Sequence, residues 1–162
     1  MQEVSMKAAS LKEVKSELSH KSPQELMELC LRLSRFKKEN KELLTYLLFE
    51  NADEEGYIES IQQAMDVEFE AINTDSYFYM RKTIRKILRL IKKYIRYSQN
   101  KETEVELLLY FARKIKEFNP SIFKSKALEN LYFRNLDFIK KKVSLLHEDL
   151  QYDYRLEIEE LE

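Results

Sequence analysis

The chain has 162 residues, 28 Lys and Arg against 29 Asp and Glu, a formal charge of −1, and only one Gly, two Pro and one Cys. Hairpin turns need residues that reach positive φ, and Gly and Pro this far below their average usage of about 7 % and 5 % exclude a multi-stranded sheet. A lone Cys excludes an internal disulfide and a Cys–His metal cluster, and a lone Gly excludes a Gly-rich phosphate loop. An apolar content of 44 % excludes wholesale disorder, since enough surface can be buried to offset chain entropy. The composition predicts an all-α protein.

Caps and the 3.6-residue period place seven helices. The first runs over residues 11–20, with Ser10 and Glu13 as a capping box and Leu11, Val14 and Leu18 on one face. The second starts at Ser22, with Pro23 at the first helical position and Glu25 reaching back. Its apolar stripe, Leu26, Leu29, Cys30, Leu33 and Phe36, predicts a core face and makes Cys30 a buried structural thiol rather than a nucleophile. The third, 41–49, is apolar on more than one side and is expected at the centre of the fold.

A break at 51–53 precedes a fourth helix to Ile72, striped by Ile58, Ile61, Met65 and Phe69. The fifth, 77–97, is about 31 Å long at 1.5 Å per residue. The sixth spans 102–118 and stops at Asn119-Pro120. The seventh starts near Ser125 and carries Leu128, Leu131, Ile139, Val143 and Leu146, with 148–162 continuing as an acidic helix or tail. These elements suit a single helical domain over 1–162. Segments 25–40 and 104–119 share a start, a stop and most apolar positions, within a weak repeat of 22–72 and 101–150. That repeat favours a stacked, solenoid-like layer over a closed four-helix bundle.

Charge is the most informative pattern. Residues 42–80 hold ten acids and no Lys or Arg, whereas 81–101 hold nine bases and no acid. On a helical wheel the fifth helix sorts into two arcs. Tyr77, Met80, Ile84, Ile87, Leu88, Ile91, Tyr94 and Ile95 form a core face; Arg81, Lys82, Arg85, Lys86, Arg89, Lys92, Lys93 and Arg96 face the other way, with Phe78 among them. Like charges at i,i+4 repel by a few tenths of a kcal/mol per pair, so the arc needs a counter-charge. The acids of 54–72 are the first source, as sequential helices are usually neighbours. The tail at 148–162, or an acidic surface on another protein, is the second. Nucleic-acid phosphate is the third, with Phe78, Tyr79 and Tyr97 available to stack on bases.

The leading expectation is a non-enzymatic scaffold or adaptor binding a protein partner through Arg81, Lys82, Arg85, Arg89, Lys92, Lys93, Arg96 and Phe78. The alternative is a nucleic-acid-binding helical-repeat protein using the same helix. Exposure and pairing of Arg85, Arg89, Lys92 and Arg96 discriminate between them. No catalytic, cofactor or metal residues are expected. Glu17-x-x-His20 has the spacing of a di-iron ligand pair, but its mate is missing because Ser144 stands three residues before His147. The longest uncharged apolar run among the helices, 43–49, is seven residues where a membrane span needs about 20. With no apolar leader in the first twenty residues, the sequence suggests a cytoplasmic location.

Overall fold

The computed structural model describes residues 5–162, which form eight α-helices, one π-helical turn, one 3-10 turn and no strand. The chain divides into two compact units, residues 1–45 and 46–162.

The first unit contains α1 (Leu11–Leu18), α2 (Pro23–Phe36) and α3 (Lys38–Thr45). Their starts follow the capping residues. Ser10 Oγ accepts from the Glu13 amide at 3.2 Å, and Ser22 and Glu25 exchange both capping-box bonds at 3.2 Å. Lys37 takes up extended backbone and ends α2, and Asn40 Nδ2 donates across the bend to the Leu33 carbonyl at 2.7 Å.

The unit buries almost nothing. Among its described residues only Ser34 is buried, and no apolar side chain is. Leu33 and Phe36 on the predicted core face are 60 % and 77 % exposed. Cys30 is exposed too, contrary to the expectation of a buried thiol. The physical reason is that helices of 8, 14 and 8 residues form no second layer over this stripe inside their own unit. Of the 41–49 segment, expected to be central, only Tyr46 is buried: α3 buries no residue, and Leu47, Leu48 and Phe49 are exposed in the turn that follows it.

The second unit begins with the π-helical turn Tyr46–Glu50, closed by the Asn51 amide donating to the Tyr46 carbonyl at 2.9 Å. It continues with α4 (Glu54–Glu70), α5 (Tyr77–Ser98), α6 (Lys101–Lys116), a 3-10 turn (Ile122–Lys124), α7 (Lys126–Val143) and α8 (Glu148–Leu161). Asp53, Ser76, Asn100 and Ser125 cap α4 to α7 through side-chain oxygens. Gln99 in the left-handed region, φ 55°, ends α5. The seventh predicted segment resolves into two helices, because His147 leaves the helical region and caps α8, its Nδ1 accepting from the Asp149 amide at 3.3 Å.

Helix α6 is the hub, packing against α4, α5, α7 and α8. It buries Thr103, Val105, Leu107, Leu108, Leu109, Phe111, Ala112 and Ile115. The predicted stripes of α4, α5 and α7 meet there: Ile61, Met65 and Phe69; Met80, Ile84, Ile87, Ile91 and Ile95; Leu128, Leu131, Ile139 and Val143 are all buried. At roughly 1.5–3 kcal/mol per buried aliphatic side chain, this layer supplies most of the unit's stability.

Candidate functional site

The basic face of α5 is built by what lies behind it. With Met80, Ile84, Ile87, Ile91 and Ile95 anchored in the core, the 3.6-residue period turns Lys82, Arg85, Lys86, Arg89, Lys92 and Arg96 outward, and all six are exposed. Arg81 is half-buried. Among the described residues none of these seven makes an ion pair. Lys93 is half-buried, with its Nζ 5.4 Å from the centre of the Tyr94 ring.

The expected internal counter-charges are engaged elsewhere. Four acids of α4, Glu54, Glu55, Glu59 and Asp66, lie beside residues of α6. Asp66 accepts from the Tyr110 hydroxyl at 2.7 Å and pairs with Lys114 at 3.0 Å, both on α6. Burial would raise its carboxyl, but these two donors outweigh that and hold it below the ordinary value. Glu54 accepts from three hydroxyls, those of Tyr46, Ser98 (3.1 Å) and Thr103. It thereby ties the π turn and the end of α5 to the starts of α4 and α6. Glu55 and Glu59 line an acidic groove together with Glu102 and Glu106 of α6. Glu55, Glu59, Glu68 and Glu70 form no ion pair among the described residues.

Two acids at the C-terminal end of the chain are also engaged away from α5. Glu157 pairs with Arg113 of α6 and Glu162 with Lys140 of α7. Lys116 Nζ donates to the Glu160 carbonyl at 2.7 Å, and the Tyr132 hydroxyl to that of Leu161. The Tyr154 hydroxyl donates to Glu106 at 2.6 Å and Glu102 at 2.9 Å. Burial, and then these two carboxylates, push its ionisation far above the ordinary tyrosine range. The expected internal pairing is therefore corrected for seven of the eight bases: among the described residues no ion pair joins Arg81, Lys82, Arg85, Lys86, Arg89, Lys92 or Arg96 to 54–72 or 148–162.

Of the three aromatic residues at the start of α5, Tyr77 is half-buried, its hydroxyl donating to the Ser121 carbonyl at 2.8 Å. Phe78 and Tyr79 are exposed and meet edge to face with ring centres 5.5 Å apart. Tyr97, expected beside them as a stacking residue, is buried and cannot serve. The Glu54 hub was not foreseen: Glu54 and Glu55 read alike in sequence, and nothing local marks one of them as the acceptor for hydroxyls from three other elements.

Among the described residues, no group of three or more His, Cys, Asp or Glu is placed to hold a metal ion, and no helix is long and apolar enough to cross a membrane. Compared with family models, curated proteins and solved structures, the chain finds no match in any of the three.

Proposed function

We propose that this protein is a non-enzymatic helical binding module that holds a polyanionic partner on the basic face of α5. The reading is carried by one observation: seven basic residues within residues 81–96 make no ion pair among the described residues. Like-charge repulsion along the helix is a standing cost of a few tenths of a kcal/mol per i,i+4 pair, and an external row of anions relieves it. Heparin, a polyanion without bases or peptide, tests the reading. Wild-type protein binds it with an affinity that falls steeply with salt, and Arg85→Glu/Arg89→Glu/Arg96→Glu abolishes binding. Failure of the wild type to bind heparin at low ionic strength would make the reading wrong.

A second reading, an adaptor for another protein, is favoured by a separate observation. Leu29, Leu33 and Phe36 form an exposed stripe on α2, and buried aliphatic and aromatic anchors are what protein interfaces use. Recovery of a stoichiometric protein partner from the native host, lost on Leu29→Asp/Leu33→Asp with helicity intact, supports it. Equal recovery with that variant removes the stripe from consideration.

A further inference from the structure

We infer that the polyanion is single-stranded nucleic acid, with its phosphates on a straight lane of cations along α5 and a base stacked on Phe78 at the lane's N-terminal end; the inference rests on the polyanion reading above.

The lane is a geometric consequence of spacing. Phe78, Lys82, Arg85, Arg89, Lys92 and Arg96 are separated by alternating steps of four and three residues. That averages close to the helical repeat, so all six lie along one line about 27 Å long. All six are exposed. Arg81 flanks the line on one side, and Lys86 and Lys93 on the other. Successive cations stand about 4.5–6 Å apart along the axis, a regular row suited to a flexible backbone that carries one charge per nucleotide.

Two features favour nucleic acid over an acidic protein. A protein interface has an apolar centre depleted of charge, whereas between residues 81 and 96 the lane and its flanks offer only Lys and Arg. The one apolar element is aromatic and terminal: Phe78 is 62 % exposed, with the Tyr79 ring set edge-on against it. An exposed ring at the end of a cationic row is the pairing that single-strand binders use, stacking for the base and charge for the backbone. It also favours a single strand over a duplex, because a paired base keeps its faces inside its own stack. With the lane's Lys and Arg engaged by phosphates and no Asn or Gln among them to read adenine edges, the inference predicts binding that depends little on sequence.

The test uses the full chain and labelled strands of equal length: oligo-dT, an abasic deoxyribose-phosphate strand and a duplex, with heparin and polyglutamate as polyanion controls. Wild type binds oligo-dT more tightly than the abasic strand or the duplex. Phe78→Ala lowers affinity for oligo-dT by about 5- to 150-fold and leaves heparin and the abasic strand unchanged, and Phe78→Trp restores it. The logarithm of affinity falls with that of salt at a slope no steeper than about −3.5 for five lane cations, and Arg85→Ala/Arg89→Ala/Arg96→Ala flattens the slope by about 2. Equal binding of oligo-dT and the abasic strand, indifferent to Phe78→Ala, overturns the inference and leaves the polyanion reading standing. Tighter binding of polyglutamate than of any strand overturns it in favour of an acidic protein. No binding to any polyanion removes both.

Discussion

Helices α2 and α6 carry nearly the same amphipathic pattern and meet opposite fates. Residues 25–40 and 104–119 align in their acidic starts, most of their apolar positions and their terminal Asn, Glu28 and Arg32 standing where α6 has Leu107 and Phe111, yet α2 buries only Ser34 while α6 buries eight residues. The pattern suffices to make each segment a helix with one apolar side, since caps and period are local properties. Burial is set by what lies against that side. Four helices pack around α6, whereas no buried apolar residue occurs among the described residues of the unit that contains α2. The helix at the hub serves stability, and the bare stripe is left over for something else.

Truncating one leucine in each helix is the strongest way to break this comparison. Leu108→Ala in α6, fully buried, costs about 2–5 kcal/mol through lost burial and a residual cavity. Leu33→Ala in α2 stays within about 0.5 kcal/mol. Denaturant unfolding monitored by circular dichroism measures both, and similar losses would mean that the α2 stripe is covered after all.

Alkaline titration attacks the same asymmetry. Burial and then the Asp66 contact raise the Tyr110 hydroxyl from 10.0 to about 12, and burial takes Tyr132 to about 12. A folded-state value above the unfolded one means these contributions are complete below pH 10 and are lost as pH rises from 10 towards 12. Tyrosinate absorbance should show a late-titrating group in native protein that merges with the ordinary one in denaturant. On the acid side, the depressed Asp66 carboxyl contributes fully above its unfolded value of 3.8, and that contribution disappears as pH falls below it.

Smaller effects sharpen the contrast. Tyr154→Phe removes the hydroxyl that joins α8 to Glu102 and Glu106 and should lower stability by about 0.5–1.5 kcal/mol, visible as a fall in Tm. Cys30→Ser should change stability by less than about 0.5 kcal/mol. The Cys30 thiol, being exposed, should react in native buffer nearly as fast as in denaturant, and strong native protection would return it to a core.

Most of the helices were legible because their signals are local: Ser10, Ser22-Pro23 and Ser125 sit at the boundaries they announce. The core of the second unit was legible for the same reason, from Met80 to Ile95 and from Leu128 to Val143. Illegible was anything that needs a partner element. Cys30 and Leu33 look like core residues on their own helix, and only the lack of a covering layer makes them surface. Glu54 looks like Glu55 until hydroxyls from residues 46, 98 and 103 converge on it. The basic arc of α5 was plain from its spacing, but the lack of ion pairs at Arg85, Arg89 and Arg96 depended on where acids such as Asp66 and Glu157 found their partners on α6.

That lack of counter-ions is the central claim, and the stability of Arg85→Glu/Arg89→Glu/Arg96→Glu tests it without reference to any partner. If the face is uncompensated, equilibrium unfolding of the variant should match the wild type or exceed it by a few tenths of a kcal/mol, because like-charge i,i+4 repulsions along α5 are relieved. If α4 or α8 neutralised these arginines, three lost pairs at about 0.2–1 kcal/mol each would lower stability by about 1–3 kcal/mol, and that result would contradict the account.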